Sequence, residues 1–488
     1  MAIDTEHPDY RLYAEKWKRC RDAMAGEDAV KAAKETYLPR VSRAQKQNEY
    51  DDYLARAMYV NMSGRTKDGF HGMAFRKDPD VVLPDLVSDR RNDITPDGKS
   101  DEGLAREVLR NVLVVGRHGL FVDFPNANTD GEELSQSDVE AFGIRPYISG
   151  YRAEDIVDWH HRRIGGQIRL SMVKLRERSI EIDESYERTT IQKIRVLELT
   201  PEGEYRVRLY SLATSDDGHI KQEWQLEAEW FPRMSGERLR FIPFVFADPV
   251  EGGADVHDPI LLDLVNVNLS HFRTSADLEH GAHFTGLPTP WFVGFQDKEL
   301  GDKIRIGSAG GIVSSNPDAK VGMLEFSGNG LSTLENGAKR KEEIMALLGA
   351  RMLMSEPRKV EAAETAEIHR TGEDSILGSL VANVSEALER AFRILALWSG
   401  VPEEALEAEP IVYQINRDFM PHKLSPQMLQ ALMATWQQGG IAFGDFIHQL
   451  KLGEVVRPDR DPDDIRQDQL DEPPPAGTPV GSGGGVFE

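Results

Sequence analysis

Apolar positions recur along this chain with two periods, and the period changes repeatedly. Between Tyr10 and Ala33, Leu12, Trp17, Met24 and Val30 punctuate a polar background, which predicts a helix ended by Tyr37-Leu38-Pro39, where proline cannot continue it. A second helix is predicted from Tyr50 to Met62, because Tyr53, Leu54, Ala57, Met58 and Asn61 share one face. Leu104, Val108, Leu109, Val112 and Val115 predict a third over 101–115, and Gly119 to Pro125 reads as a short buried strand behind it. From Pro146 to Phe246 the period becomes two. The runs IRLSMVKLRE, IQKIRVLELT, YRVRLYSLA, EWQLEAEWF and RFIPFVFA, separated by Gly, Asp and Pro, predict an antiparallel sheet.

Helical spacing returns at His257. Asp258-Pro259 opens a long helix lined by Ile260, Leu261, Leu264, Val267, Asn268, Phe272 and Leu278, and Pro288 with Pro290 forbids its continuation. Residues 291–326 alternate and carry many glycines, which predicts short strands and tight turns. Ser332 then caps a helix to about Met354, and Pro357 interrupts the chain. The clearest periodicity lies between Ala366 and Ser399, where Leu377, Leu380, Val381, Val384, Leu388, Ala391, Phe392, Leu395 and Trp398 make one stripe. Shorter helices are predicted for Leu424–Gln438 and Asp445–Leu450, divided by Gly439-Gly440, and the Pro-, Gly- and Asp-rich stretch from about Arg457 predicts disorder. Together these make an α+β chain. Its 488 residues exceed what one core usually covers, so several packed units are expected.

Charge and chemistry narrow the function classes. The formal net charge is −24, from 82 acidic against 58 basic residues, which argues against wrapping a nucleic acid by phosphate neutralisation and suits either plain solubility or a wall along which a polyanion slides. The lone Cys20 excludes a disulfide framework, and no signal segment or long apolar run is expected to take the chain through a membrane. No G-x-x-x-x-G-K-[ST], G-x-S-x-G, H-E-x-x-H or C-x-x-C occurs, so the glycines between Gly301 and Gly311 and the Gly64-Arg65-Thr66-Lys67 stretch read as turns rather than phosphate cradles. His160-His161 point to opposite faces of a strand. His280 and His283 share a helix face, which is geometrically possible for a divalent ion, but helix-end polarity is the simpler reading. Glu342-Glu343, Glu361 and Glu364 have no orienting His near in sequence and read as solvated. No catalytic residue, cofactor or metal ligand is therefore expected.

The order of parts resembles the bacteriophage portal (head-tail connector) family, closest to a subgroup catalogued as a domain of unknown function. The residues that carry the resemblance are Gly26-Glu27-Asp28-Ala29-Val30-Lys31, Tyr37-Leu38-Pro39, Tyr53-Leu54-Ala55-Arg56-Ala57, Gly72-Met73-Ala74-Phe75-Arg76-Lys77 and the run Gly116 to Pro125. Asp263-Leu264-Val265-Asn266, His271-Phe272-Arg273, Ala276-Asp277-Leu278-Glu279-His280-Gly281 and Leu287-Pro288-Thr289-Pro290 add to them. The resemblance implies a non-enzymatic, dodecameric ring at one capsid vertex of the virion, assembled in the host cytoplasm. Double-stranded DNA passes through it non-specifically during packaging and ejection. It implies as partners the terminase large subunit, the head-tail adaptor, and the major capsid and scaffolding proteins, with no membrane.

Carried onto this chain, the resemblance makes residues 1–256 an α/β wing, 257–286 and 329–354 the stem helices, and 287–328 a β-containing clip. Residues 355–365 become a tunnel loop, 366–400 a wing helix, 401–456 a helical crown and 457–488 a disordered tail. The tunnel-loop candidates for touching DNA are Arg358 and Lys359, and the basic stem candidates are Lys339, Arg340 and Lys341. Clip candidates for partner binding are Lys303, Arg305 and Trp291. A head-associated phage hydrolase, motivated by the Glu and His positions above, and another ring-forming connector are the competing readings.

Overall fold

The computed structural model describes residues 3–125, 144–164, 166–182, 186–214, 222–234, 236–250, 253–287, 289–295, 314–324, 330–353, 375–419, 426–453, 455–457 and 460–471. The chain divides into two compact units, Met1–Arg417 and Asp418–Glu488.

The first unit opens with α1 (Pro8–Ala25), whose start is fixed by Pro8 and by the His7 ring accepting the Asp9 N–H at 3.2 Å. Trp17, Cys20, Ala23 and Met24 make its buried side. The single helix expected to Ala33 is broken, because Gly26 takes φ +110 and starts α2 (Glu27–Ala32) in a new direction. The helix expected over Tyr50–Met62 is also two pieces. Helix α3 (Gln47–Arg56) stops before Ala57, and α4 (Met62–Ala74) begins where the Asn61 carboxamide caps the Gly64 N–H at 2.8 Å. After β1 (Asp80–Val82) and α5 (Asp85–Ser88), Ser100 caps α6 (Asp101–Val115), and Gly116 at φ +75 turns the chain into β2 (His118–Asp123).

Strand β2 is the centre of the unit, and all six of its residues are buried. It pairs antiparallel with β3 (Tyr147–Arg152) on one side and, on the other, with a later strand. Gly119 leaves the space that the neighbouring rings fill, since a Cβ there would lie 2.4 Å from the Phe244 ring and 2.8 Å from Ile156. Then β4 (Ile156–Ile164), β5 (Gln167–Ile182), β6 (Arg188–Leu199), β7 (Tyr205–Thr214) and β8 (Gln222–Trp230) form an antiparallel meander, followed by the small hairpin β9 (Arg233–Met234) and β10 (Glu237–Arg238). The last predicted run, β11 (Phe244–Ala247), leaves the meander and is the second partner of β2. The inner end of the meander is held on one face by Glu177, which takes two bonds from Arg195 and one from Tyr151. On the other face Lys174 donates to the Thr5 carbonyl and Arg176 reaches Glu6.

The remaining elements of this unit are α7 (Leu262–Gly286), β12 (Thr289–Val293), β13 (Lys320–Leu324), α8 (Leu331–Arg351), α9 (Ile376–Trp398), α10 (Glu403–Ala408) and β14 (Val412–Gln414), the last paired with β1. Helix α9 carries the expected stripe and covers the β11-β2-β3 sheet. Residues 366–374, its expected first turns, lie outside the described residues.

The second unit contains α11 (Pro426–Gln437), α12 (Phe443–Leu452) and α13 (Pro462–Asp471). The expectation of disorder from Arg457 is corrected by α13. The Asp461 carboxylate caps the Asp463 N–H at 2.7 Å, and Ile465 joins Phe446, Ile447 and Leu450 in a small core.

Several ionisable groups are buried in the first unit, Arg117 and Asp123 among them. The Arg117 guanidinium is sandwiched between Trp159 at 4.1 Å and Phe246 at 4.3 Å and donates to the Ala254 carbonyl at 2.7 Å; burial pulls its pKa down to about 9. At the end of β2, burial pushes the Asp123 carboxyl up to about 6 against the opposing pull of Arg195. A folded pKa above the unfolded value of about 3.9 means that the fold favours the protonated acid. Its stabilising contribution is full below about pH 4, is lost as pH rises to about 6, and is flat above that, a span of about 3 kcal/mol. Urea unfolding of the protein and of Asp123→Asn between pH 4 and 7 should therefore show wild type losing stability relative to the variant as pH rises. Parallel profiles would contradict this.

Candidate functional site: a helical hairpin

Helices α7 and α8 are about 37 and 32 Å long at 1.5 Å per residue. They run antiparallel, with Gly281 beside Leu331, Thr274 beside Gly337 and His271 beside Glu342, and the β12–β13 hairpin closes their far end. The first half of α7 is a foot set into the body. Leu264, Val265, Asn268, Leu269, His271, Phe272, Ser275 and Ala276 are its buried residues, and none follows Ala276.

Polar contacts fix that foot. The Asn268 carboxamide, fully buried, accepts from the Ser63 N–H at 3.0 Å and lies 3.1 Å from the Tyr59 hydroxyl, while its amide donates to the Val60 carbonyl at 2.9 Å. Higher up, the Tyr53 hydroxyl donates to Asp277 at 2.7 Å and its ring meets His280 edge-on.

Beyond the foot, α7 and α8 have mainly each other. Small residues let them approach: a Cβ on Gly281 would sit 2.8 Å from the Leu331 side chain. In α8 only Ala338 and Met345 are buried; Ile344, 37% exposed, and Leu347, 51% exposed, stand where α8 has returned alongside the foot. At the tip, Trp291 lies over Gly322 yet stays 40% exposed, and Val293, Val321, Met323 and Leu324 are more exposed still. A two-stranded hairpin with large apolar residues on both faces is marginal by itself.

The basic triplet of α8 separates into two roles. Lys341 turns onto α7, donating to the Ser270 carbonyl at 3.1 Å and to the Thr274 hydroxyl; burial, with Arg273 adding to it, holds its pKa below the usual lysine range. Lys339 and Arg340 are exposed and make no ion pair among the described residues. The structure thus places Lys341 as an inter-helix bond rather than a surface charge. Arg358, Lys359, Lys303, Arg305, Glu361, Glu364 and the Gly301–Gly311 stretch lie outside the described residues. His160 bonds Ser171 at 3.0 Å. Among the described residues no group of three or more His, Cys, Asp or Glu is arranged to hold a metal.

Sequence reading missed the approach of His271 Nε2 to Glu342 at 3.2 Å, because 71 residues separate them. The signal available was that both fall on the facing stripes of the two long helices. No helix among the described residues is long and apolar enough to cross a membrane.

Three comparisons bear on this region. The family model described as domain of unknown function DUF4055 matches residues 260–399, which covers the hairpin and α9. The chain is similar to a chain in "Virion of native gene transfer agent (GTA) particle", at 11% identity and a TM-score of 0.37, covering 87% of this chain and 98% of that one. It is also similar to one in "Neck of empty GTA particle computed with C6 symmetry", at 11% identity and a TM-score of 0.38, covering 85% and 96%. No curated protein matches.

Lys341→Ala should cost about 1–2 kcal/mol, since it removes a partly buried donor from two acceptors, while Lys339→Ala and Arg340→Ala should stay within about 0.5 kcal/mol. Urea midpoints at constant slope test this, and equal losses for all three would contradict it.

Proposed function

We propose that the chain is the portal subunit of a phage-like particle, a non-catalytic ring at the vertex through which double-stranded DNA enters and leaves. The observation that carries the reading is the α7–α8 hairpin: a foot locked into an α/β body, and an outer half whose apolar side chains the chain itself does not cover. In this reading neighbouring hairpins pack side by side, Phe284 of the outer half and, level with the foot, Ile344 and Leu347 of each being covered by the next, and the apposed helices become the channel wall. The element order supports it, with body strands first, then α7, the β12–β13 excursion, the returning α8 and α9.

The chemistry of a channel supports it too. A wall facing a moving polyanion works best with overall negative charge and a few cations, because many fixed cations would trap DNA through counterion release. The chain carries −24 overall, while α8 exposes Lys339, Arg340 and Arg351 beside Glu335, Glu342 and Glu343. In this assignment residues 287–328, with Trp291, Lys303 and Arg305, meet the terminase large subunit and later the head-tail adaptor. Arg358 and Lys359 touch DNA transiently, residues 1–256 form the wing and 401–456 the crown, and the wing side meets capsid and scaffolding proteins. The family sets the expected subunit number at twelve.

Negative-stain microscopy of the purified protein should show rings with a central hole, and a persistent monomer with hydrolytic activity would overturn the proposal. Ile344→Glu with Leu347→Glu should abolish rings while leaving the near-UV spectrum of the monomer intact. Arg358→Ala with Lys359→Ala should leave rings intact and lower the DNA packaged per particle; unchanged packaging would remove the loop from the account.

A further inference from the structure

Two other surfaces of the first unit expose apolar side chains, one beside a pair of arginines and the other beside a group of carboxylates. The first is the outer end of the meander. Strands β5 and β6 pair on past the point where β6 leaves β7, so the β5–β6 and β7–β8 hairpins extend as two arms. The register puts Arg178, Ile180 and Ile182 opposite Gln192, Thr190 and Arg188 on one face, and carries that face on through Tyr210 and Leu212 to Leu226 and Trp224. Among the described residues of the two arms no carboxylate stands on this outer face, because Glu181, Glu223 and Glu227 alternate onto the reverse. Farther in, its arginines are neutralised: Arg176 by Glu6 at 3.3 Å, and Arg206 and Arg208 by Glu198 at 2.7 and 2.5 Å. Arg178 and Arg188 are exposed with no ion pair among the described residues, beside Ile180 at 62% and Ile182 at 59% exposure.

The second surface is built by β1, α5 and α10. Val82, Leu83, Pro84, Val401, Ala405 and Leu406 line a shallow cleft, and Val82 and Leu86 are more than half exposed. Around it stand Asp80, Asp85, Asp89, Glu404 and Glu407, all exposed and without an ion pair among the described residues, with Arg90 at their margin.

We infer that the arginine-flanked face of the sheet arms in one copy docks on the acidic β1–α5–α10 face of a second copy. Copies of a chain with a net charge of −24 repel one another, so a contact between them gains most where its two sides differ in sign. The apolar residues on both sides supply the buried area, and the charges set orientation and partner choice. Two different patches on the same chain make a head-to-tail contact, the kind that propagates around a ring until the rotation closes. The inference rests on the ring reading above and adds a second contact to it, on the α/β body.

The test uses the full-length protein, with dissociation of the assembly on dilution followed by mass photometry. Arg178→Glu with Arg188→Glu, and separately Asp85→Arg with Asp89→Arg, should each raise the dissociation concentration ~10-fold or more, since like charges then face each other. The four changes together should bring it back toward wild type. Reversals that leave wild-type assemblies unmoved, or a fourfold variant weaker than either pair, would overturn this contact while leaving the ring standing. A wild-type monomer at every concentration would overturn the ring itself. Unchanged urea midpoints in the monomer keep folding defects out of the comparison.

Discussion

Much of the first unit depends on one carboxamide. Asn268 has no solvent to turn to, so the Ser63 amide, the Tyr59 hydroxyl and the Val60 carbonyl must satisfy it. Leaving such a group unpaired in the interior costs about 1–3 kcal/mol, a penalty that any shift of the helix away from these partners would incur. The foot of α7 therefore has one register and one direction against α1, α3 and α4. Tyr53, bonding Asp277 nine residues farther on, keeps that direction as the helix leaves the body.

The consequence is a projecting structure with little core of its own. Lys341 and His271 hold α8 on α7, and Gly281 and Gly337 let the helices come close, yet Ile344, Leu347 and the apolar tip strands are left to solvent. Exposed apolar area on this scale in a strongly acidic chain is balanced between attraction through those side chains and repulsion through net charge. Added salt should favour association by screening the repulsion, over a Debye length of about 8–10 Å at moderate ionic strength.

Periodicity carried the long elements. Residues lining α6, α7 and α9 were legible because each stripe is regular, and the meander because Gly, Asp and Pro punctuate it; α8 was read from an expected cap at Ser332, which lies just inside the helix. The misses have local causes. Helix α4 was unread because Gly64, Gly69 and Gly72 interrupt its pattern, and its start depends on the Asn61 cap. Gly26 reads as one tolerable glycine within a helix, but its positive φ makes it a corner. Helix α13 sits in a composition suited to disorder, and Ile465, buried against α12, with Arg466 over the Phe443 ring, holds it. The bonds that place the hairpin, from Asn268 to Val60 and from Glu342 to His271, join residues too far apart in sequence for spacing to reveal them. The resemblance supplied the functional order of the parts, which periodicity alone would leave as a helical scaffold.

The central claim is that the foot of α7 is complete within one chain while the outer hairpin is completed by a neighbour. Amide hydrogen exchange on assembled and on dissociated protein separates the two most directly. The account predicts that residues 264–276 are protected in both states, and that residues 277–286, 289–293 and 331–337 gain protection only on assembly. Equal protection of the outer hairpin in the two states would contradict it.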